Sequence, residues 1–161
     1  MPSVGIVGYN GREMTRAFLR MSQGTASCYH ITDRQPLGPK VNVLVASEAS
    51  PVLADVIPSL GSEDFLIVNA DDKKIFTMLD EIPMPENFKA KLITYGFNNR
   101  ACITASSVTN DGVQVCIQRG FQGIDGAERE PHEFSARANG ENSMSVLGAA
   151  AAWVVLNTNL Q

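Results

Sequence analysis

The chain has 161 residues, 44% of them hydrophobic and 19% charged. That length and balance suit one globular domain able to bury roughly 70% of the surface its unfolded form exposes, and they exclude a disordered composition. A formal net charge of −4, with Lys and Arg scattered, argues against the basic face that non-specific nucleic-acid binding requires.

Ser3 to Met21, SVGIVGYNGREMTRAFLRM, joins a strand, a glycine turn and a helix without a break. Val4, Ile6 and Val7 suit a buried parallel strand, and Gly8 and Gly11 bracket a tight turn at its carboxyl end. Met14, Phe18, Leu19 and Met21 then recur at helical spacing, with Arg12, Arg16 and Arg20 roughly opposite. The free N–H groups and aligned peptide dipoles at the start of such a helix favour an anion, and phosphate is the natural candidate. The plainer reading is that the glycines only make the turn of an ordinary βα unit. G-x-G-x-x-G is absent, since the glycines stand at 5, 8 and 11, and G-x-x-x-x-G-K-[ST] is not met.

Cys28 to Thr32 reads as a short strand ending at Asp33. In a dinucleotide fold that carboxylate would bind the ribose; otherwise it is a turn residue before Pro36 and the Gly38-Pro39 pair. Val41 to Ala46 is a buried strand, and Ser50 can cap a helix that begins at Pro51 and runs to Ile57. Glu48 lies just beyond that strand's carboxyl end, where open α/β sheets place their ligands. Phe65 to Asn69 forms another apolar strand and runs into Asp71 and Asp72, which either serve a metal or catalysis or cap the helix from Asp72 to Leu79. Pro83 and Pro85 end that helix.

From Lys91 the pattern changes to β-hairpins. Leu92 to Tyr95 and Ala101 to Val108 read as strands, and Asn110-Asp111-Gly112 is a turn that folds Val113 to Ile117 back on Cys102 to Val108. Cys102 and Cys116 can face each other there, but three cysteines without metal-ligand spacing read first as free thiols of a reducing compartment. Gly120 to Glu130 reads as loop and Phe134 to Ala138 as a last strand. A helix from Ser143 to Leu156, apolar nearly all round, then packs over most of its surface, with Trp153 as a core anchor. Its apolar run is too short to span a bilayer, and no signal peptide is seen, so a soluble cytoplasmic protein is expected. His30 and His132 have no nucleophile nearby in sequence and read as ordinary structural residues.

Four motifs in order resemble the central, ATP-binding domain of the Mur ligase family, which adds amino acids to UDP-muramoyl precursors of peptidoglycan. Gly8-Tyr9-Asn10-Gly11-Arg12 is similar to the family's G-T-N-G-K-[ST]-[ST] phosphate loop. Phe65 to Asp72, FLIVNADD, is similar to V-x-N-x-D-D, and Tyr95-Gly96 to [TS]-[FY]-G. Asn139 to Asn142 with Ala149-Ala150 resembles G-x-H-N-x-x-N-x-x-A-A. The resemblance implies an α/β fold with a partly parallel sheet flanked by helices and an antiparallel hairpin extension. It spans a single domain, 1–161, made of βα units over 1–90, hairpins over 91–138 and a final helix over 139–161. It also implies ATP and magnesium as ligands, a site at Gly8, Tyr9, Asn10, Gly11, Arg12, Glu13 and Asn142, and Glu48 as the magnesium-binding residue.

The departures point away from ligation. Arg12 replaces the phosphate-loop lysine, Glu13 the magnesium-holding hydroxyl and Tyr9 a small threonine, and a carboxylate at position 13 repels phosphate. Too few residues separate Val45 from Phe65 for the family's metal and carbamylated-lysine region. The domains that hold the UDP-sugar and close over ATP have no counterpart here. The expectation is a degenerate, stand-alone domain without catalytic residues, binding nucleotide weakly or serving another cell-wall enzyme. Two alternatives stand beside it: a small Rossmann-type NAD(P) enzyme with Gly8 and Gly11 on the pyrophosphate and Asp33 on the ribose, and an interaction module that dimerises through its final helix.

Overall fold

A computed structural model describes residues 1–32 and 40–157. Asp33, Pro36 and the Gly38-Pro39 pair lie outside the described residues. The chain begins with strand β1 (Ser3–Val7), helix α1 (Gly11–Ser22), β2 (Ser27–His30) and β3 (Val43–Ala46). There follow α2 (Val52–Val56) with a short 3-10 turn behind it, β4 (Phe65–Asn69), α3 (Lys73–Glu81) and β5 (Lys91–Tyr95). The second half contains β6 (Ile103–Thr109), β7 (Gly112–Ile117), the short pair β8 (Phe121–Gln122) and β9 (Glu128–Arg129), β10 (His132–Arg137) and α4 (Ser143–Leu156).

Eight strands form one sheet in the order β10-β7-β6-β5-β4-β3-β1-β2. Pairing is parallel from β2 through β5, and Tyr95 bridges Ile103 in parallel sense to bring in β6. Antiparallel pairing starts only at β6 with β7, and continues with β10 on β7. The hairpin region therefore begins one strand later than the change of pattern at Lys91 suggests. Leu92 and Lys91 are exposed, which gives β5 the half-polar look of a hairpin strand although it pairs on β4 along its length. The stretch read as loop over 120–130 holds the β8–β9 pair, closed by the Gly123 N–H on the Ala127 carbonyl. His132 opens β10, two residues before the strand expected from Phe134.

Alternation along the central strands builds two cores, because successive side chains point to opposite faces. Val43 and Val45 of β3, with Phe65 and Ile67 of β4, join Met14, Ala17 and Phe18 of α1 and almost all of α4. Leu44, Ala46, Leu66 and Val68 face the other way, onto Val52, Leu53 and Ile57 and onto Ile75 of α3. The helix α4 is thus enclosed by the chain's own sheet and by α1, which is why it can be apolar all round. Trp153 sits at the edge of this core with its ring edge-on to Phe18, 6.3 Å between centroids. Gly148 gives the close approach: a Cβ there would stand 2.5 Å from the Met14 Cε and 3.1 Å from the Tyr95 ring.

The end of α4 is held by Arg129, a buried guanidinium. Its Nε donates to the Val154 carbonyl at 2.6 Å, Nη2 to the Val155 carbonyl at 2.9 Å, and Nη1 to Asp125 at 2.9 Å. Carbonyls left over by the last helical turn are satisfied in this way without water. The cysteines do not pair: Thr104 stands opposite Cys116, while Cys102 lies further along and its Sγ–H donates to the Arg119 carbonyl. Burial pushes the Cys28 thiol up to about 11 against a hydrogen bond from Thr15, and it raises those of Cys102 and Cys116 as well. All three are therefore poor nucleophiles near neutral pH. Among the described residues, no helix is long and apolar enough to cross a membrane.

Candidate functional site

The strand order reverses direction at β1, with β2 on one side and β3 on the other, so the carboxyl ends of β1 and β3 flank a topological switch point. A cleft of about 350 Å³ opens there, walled by Tyr9, Asn10 and Met14, by Ser47 and Glu48, by Asn69, Asp71 and Asp72, and by Met144 and Ser145. Each wall follows from local sequence: the ends of β1, β3 and β4 deliver the loops, and the start of α4 closes the fourth side.

The glycine turn after β1 is tightly determined. Gly8 has φ +140°, in the region that favours glycine, and a Cβ on it would collide with the Ser47 hydroxyl. Its carbonyl accepts the Gly11 N–H at 3.1 Å and contacts His30 Nε2 at 3.1 Å. Ser47 ties the two strand ends together, since its backbone N–H and its hydroxyl both donate to the Val7 carbonyl at 2.9 Å. Asn10 starts α1 but provides no side-chain cap, which leaves the first helical turn open to an anion.

Carboxylates already occupy the neighbouring donors. Glu48 Oε1 accepts the Tyr9 N–H at 2.6 Å, the backbone donor at the tip of the turn. Asp72 caps α3 through Lys74 N–H at 3.0 Å and takes the Ala49 N–H with its other oxygen at 2.9 Å. Asp71 accepts from Phe97 and Asn98 at 2.8 and 3.0 Å, filling the turn after Gly96. Asn69, buried at the end of β4, donates to the Ser47 carbonyl at 3.0 Å. Asp72 thus takes the capping role read for it, Asp71 closes the turn after Gly96 instead, and together they bind three loops into one rim.

The residues singled out by sequence divide. Tyr9, Asn10 and Glu48 line the cleft, while Gly8 and Gly11 shape the turn behind it. Arg12 is exposed and not among the lining residues. Glu13 and Asn142 meet each other: Glu13 accepts the Asn142 backbone N–H with Oε1 and its Nδ2 with Oε2 at 3.2 Å, while Asn142 caps α4 through Ser145 N–H at 2.8 Å. That pair links the starts of α1 and α4. Among the described residues no group of three or more His, Cys, Asp or Glu side chains is gathered to hold a metal ion. Ser47, Met144 and Ser145 also line the cleft without a sequence signal of their own, whereas Asn69 is the asparagine of the run similar to V-x-N-x-D-D.

Among the described residues, two buried hydroxyls have no partner, those of Ser145 and Tyr95. Burial, and then the charges of Asp71 and Asp72, push the Tyr95 phenol far above its ordinary value, so it stays protonated.

The residues present fit a magnesium triphosphate poorly. The cleft lining holds Glu48, Asp71 and Asp72 but no Lys, Arg or His to offset a phosphate, and the Tyr9 N–H is taken.

No protein-family model matches the chain, and no curated protein matches it. Among solved structures the chain is similar to a UDP-N-acetylmuramoyl-L-alanyl-D-glutamate–2,6-diaminopimelate ligase, with a TM-score of 0.67 and 12% identity over 96% of this chain and 42% of the ligase. It is also similar to the MurF ligase from Thermotoga maritima in complex with ADP, with a TM-score of 0.54 and 10% identity over 96% of this chain and 44% of the other. The chain spans less than half the length of these ligases, and at such identity the likeness is one of fold. The fold is accordingly the mixed α/β architecture of Mur ligases, a mostly parallel sheet flanked by helices with an antiparallel extension.

Proposed function

We propose that this chain is a Mur-ligase-like domain that has lost ligase chemistry and acts by binding, with weak, magnesium-dependent nucleotide or phosphate affinity at Gly8 to Glu13. The observation that carries the reading is Glu48 on the Tyr9 N–H, 2.6 Å away. A phosphate needs that donor, and it meets a carboxylate there instead. The open first turn of α1 supports residual anion affinity, and the absence of a basic side chain from the cleft lining supports its weakness. Because the fold is that of enzymes acting on UDP-muramoyl precursors, we place the binding role alongside peptidoglycan-precursor synthesis.

Isothermal titration with ATP and magnesium tests this. Wild-type affinity is expected near the millimolar range, and Glu48→Ala, which frees the Tyr9 N–H and removes a charge, should tighten it about tenfold. Turnover of ATP at about one per second or faster would overturn the reading.

A further inference from the structure

At one edge of the sheet backbone groups are left unpaired. Strand β10 ends the order β10-β7-β6, and among the described residues no element pairs on its outer side. The Ala138 N–H donates to the carbonyl of Asp111, in the turn between β6 and β7, so the alternation of an antiparallel ladder turns the backbone groups of Phe134 and Ala136 onto Val115 and Val113. Those of Glu133, Ser135 and Arg137 therefore point away from the sheet. Of these, the Arg137 carbonyl accepts Arg20 Nη2 at 2.8 Å and keeps a second lone pair. The strand pairs with β7 without a bulge, contains no proline and is exposed at Glu133, Ser135 and Arg137, so charge is its one device against further pairing. At the opposite edge, β2 leads directly into residues outside the described ones.

The charges on β10 decide what fits it. Phe134 and Ala136 belong to the core under α4, so Glu133, Ser135 and Arg137 share the other, solvated face. Glu133 and Arg137 flank Ser135 symmetrically, and neither enters an ion pair among the described residues. We infer that two copies of this chain associate through β10, antiparallel about a two-fold axis at Ser135, which joins their sheets into one. In that register each Ser135 faces its own counterpart, each Glu133 lies across from an Arg137, and each Phe134 across from an Ala136. The serine pair and the Glu–Arg pairs bring outward-pointing backbone groups together and exchange hydrogen bonds. Opposite charges directly across an antiparallel pair favour it, and like charges oppose it. Sliding by two residues, the smallest step that keeps the hydrogen bonds in phase, puts Glu133 across from Ser135 or Asn139 and leaves the charges unmatched. Phe134, half-buried at the margin of the core, gains an apolar neighbour on its open side. The contact does not use α4, which the chain's own sheet and α1 already enclose, and it is independent of any ligand in the switch-point cleft.

Sedimentation velocity on the full chain, from about 5 to about 500 μM, tests this. A monomer–dimer equilibrium is expected with a Kd of about 50 μM, as suits a contact smaller than a standard interface. Ser135→Pro removes the central outward N–H and no bond to β7, and should weaken the dimer about tenfold or more with an unchanged far-UV spectrum. Glu133→Arg and Arg137→Glu each set like charges across the join and should each weaken association about tenfold. The double variant exchanges the two signs and should return within about threefold of wild type, a rescue that a merely damaged strand would not give. A chain monomeric throughout that range, a dimer indifferent to Ser135→Pro, or a double variant no better than the single ones overturns the inference.

Discussion

The two halves of the molecule differ in where guanidinium groups are used, although carboxylates take loose N–H groups in both, as Asp125 does for Ala127 and Glu141 for Asn139. In the parallel half, N–H groups left over at turns and helix starts are taken by carboxylates: Glu48 on Tyr9, Asp71 on Phe97 and Asn98, Asp72 on Lys74 and Ala49, Glu13 on Asn142. In the antiparallel half, leftover carbonyls are taken by guanidinium groups: Arg129 on Val154 and Val155, Arg119 on Arg100, and Arg20 reaching across to Arg137. The difference follows the direction of the peptide dipoles, since helices start over the carboxyl ends of the parallel strands and α4 ends near the β8–β9 pair. At the switch-point cleft one donor that would attract an anion, the Tyr9 N–H, is covered by the chain's own Glu48.

Burial separates the two halves as well, and the largest effect should come from the guanidinium side. Arg129→Ala takes the side-chain donor from the buried Val154 carbonyl of α4, while the Val155 carbonyl keeps the Ile124 N–H at 2.9 Å, and urea unfolding is expected to show a loss of about 2 kcal/mol or more. The partly exposed partner Asp125 contributes little of that. Asp71→Ala tests the carboxylate side: Asp71 is exposed, so water replaces it on the Phe97 and Asn98 N–H groups and the expected loss is about 1 kcal/mol. Equal losses from these two substitutions would break the comparison.

The smallest effect concerns the joint between the halves, where Arg20 pairs with the buried Glu141 at 2.5 Å. Burial alone would raise the Glu141 carboxyl. Hydrogen bonds from Arg20 and from the Asn139 N–H, together with the charges of Arg20 and Arg16, outweigh it and hold the carboxyl below its ordinary 4.5. A depressed folded value means the unfolded chain binds the proton more readily. The stabilisation is therefore complete above the unfolded value and is lost as pH falls through the lowered folded one. Glu141→Gln should flatten the acid limb of a urea-midpoint profile below about 4.5. An unchanged limb would place the acid sensitivity elsewhere.

The central strands were legible because a buried parallel strand needs an unbroken apolar run, and VNVLVA and FLIVN have one. The Asp-Gly turn was legible because Asp-Gly between two alternating runs marks a hairpin, and in the fold Gly112 is required by close approach, since a Cβ there would stand 2.3 Å from the Ala136 carbonyl oxygen. The place where antiparallel pairing begins was not, since Lys91 and Leu92 look the same whether their strand joins a parallel or an antiparallel neighbour. The candidate site was half legible. Glu48 was placed correctly beyond β3 by the rule for open sheets, but Glu13 and Asn142, more than a hundred residues apart, gave no sign of pairing with each other.

By itself the sequence determined the kind of fold, the position of the glycine turn and the presence of Arg12 and Glu13 just after it. These are local matters of periodicity, backbone freedom and residue type. Only the tertiary structure decided that the turn's donor faces Glu48, that Arg12 stands outside the cleft and that Ser145 lies buried in its wall. A side chain's partner depends on which distant loops the sheet order brings together, and no local pattern in the chain records that order.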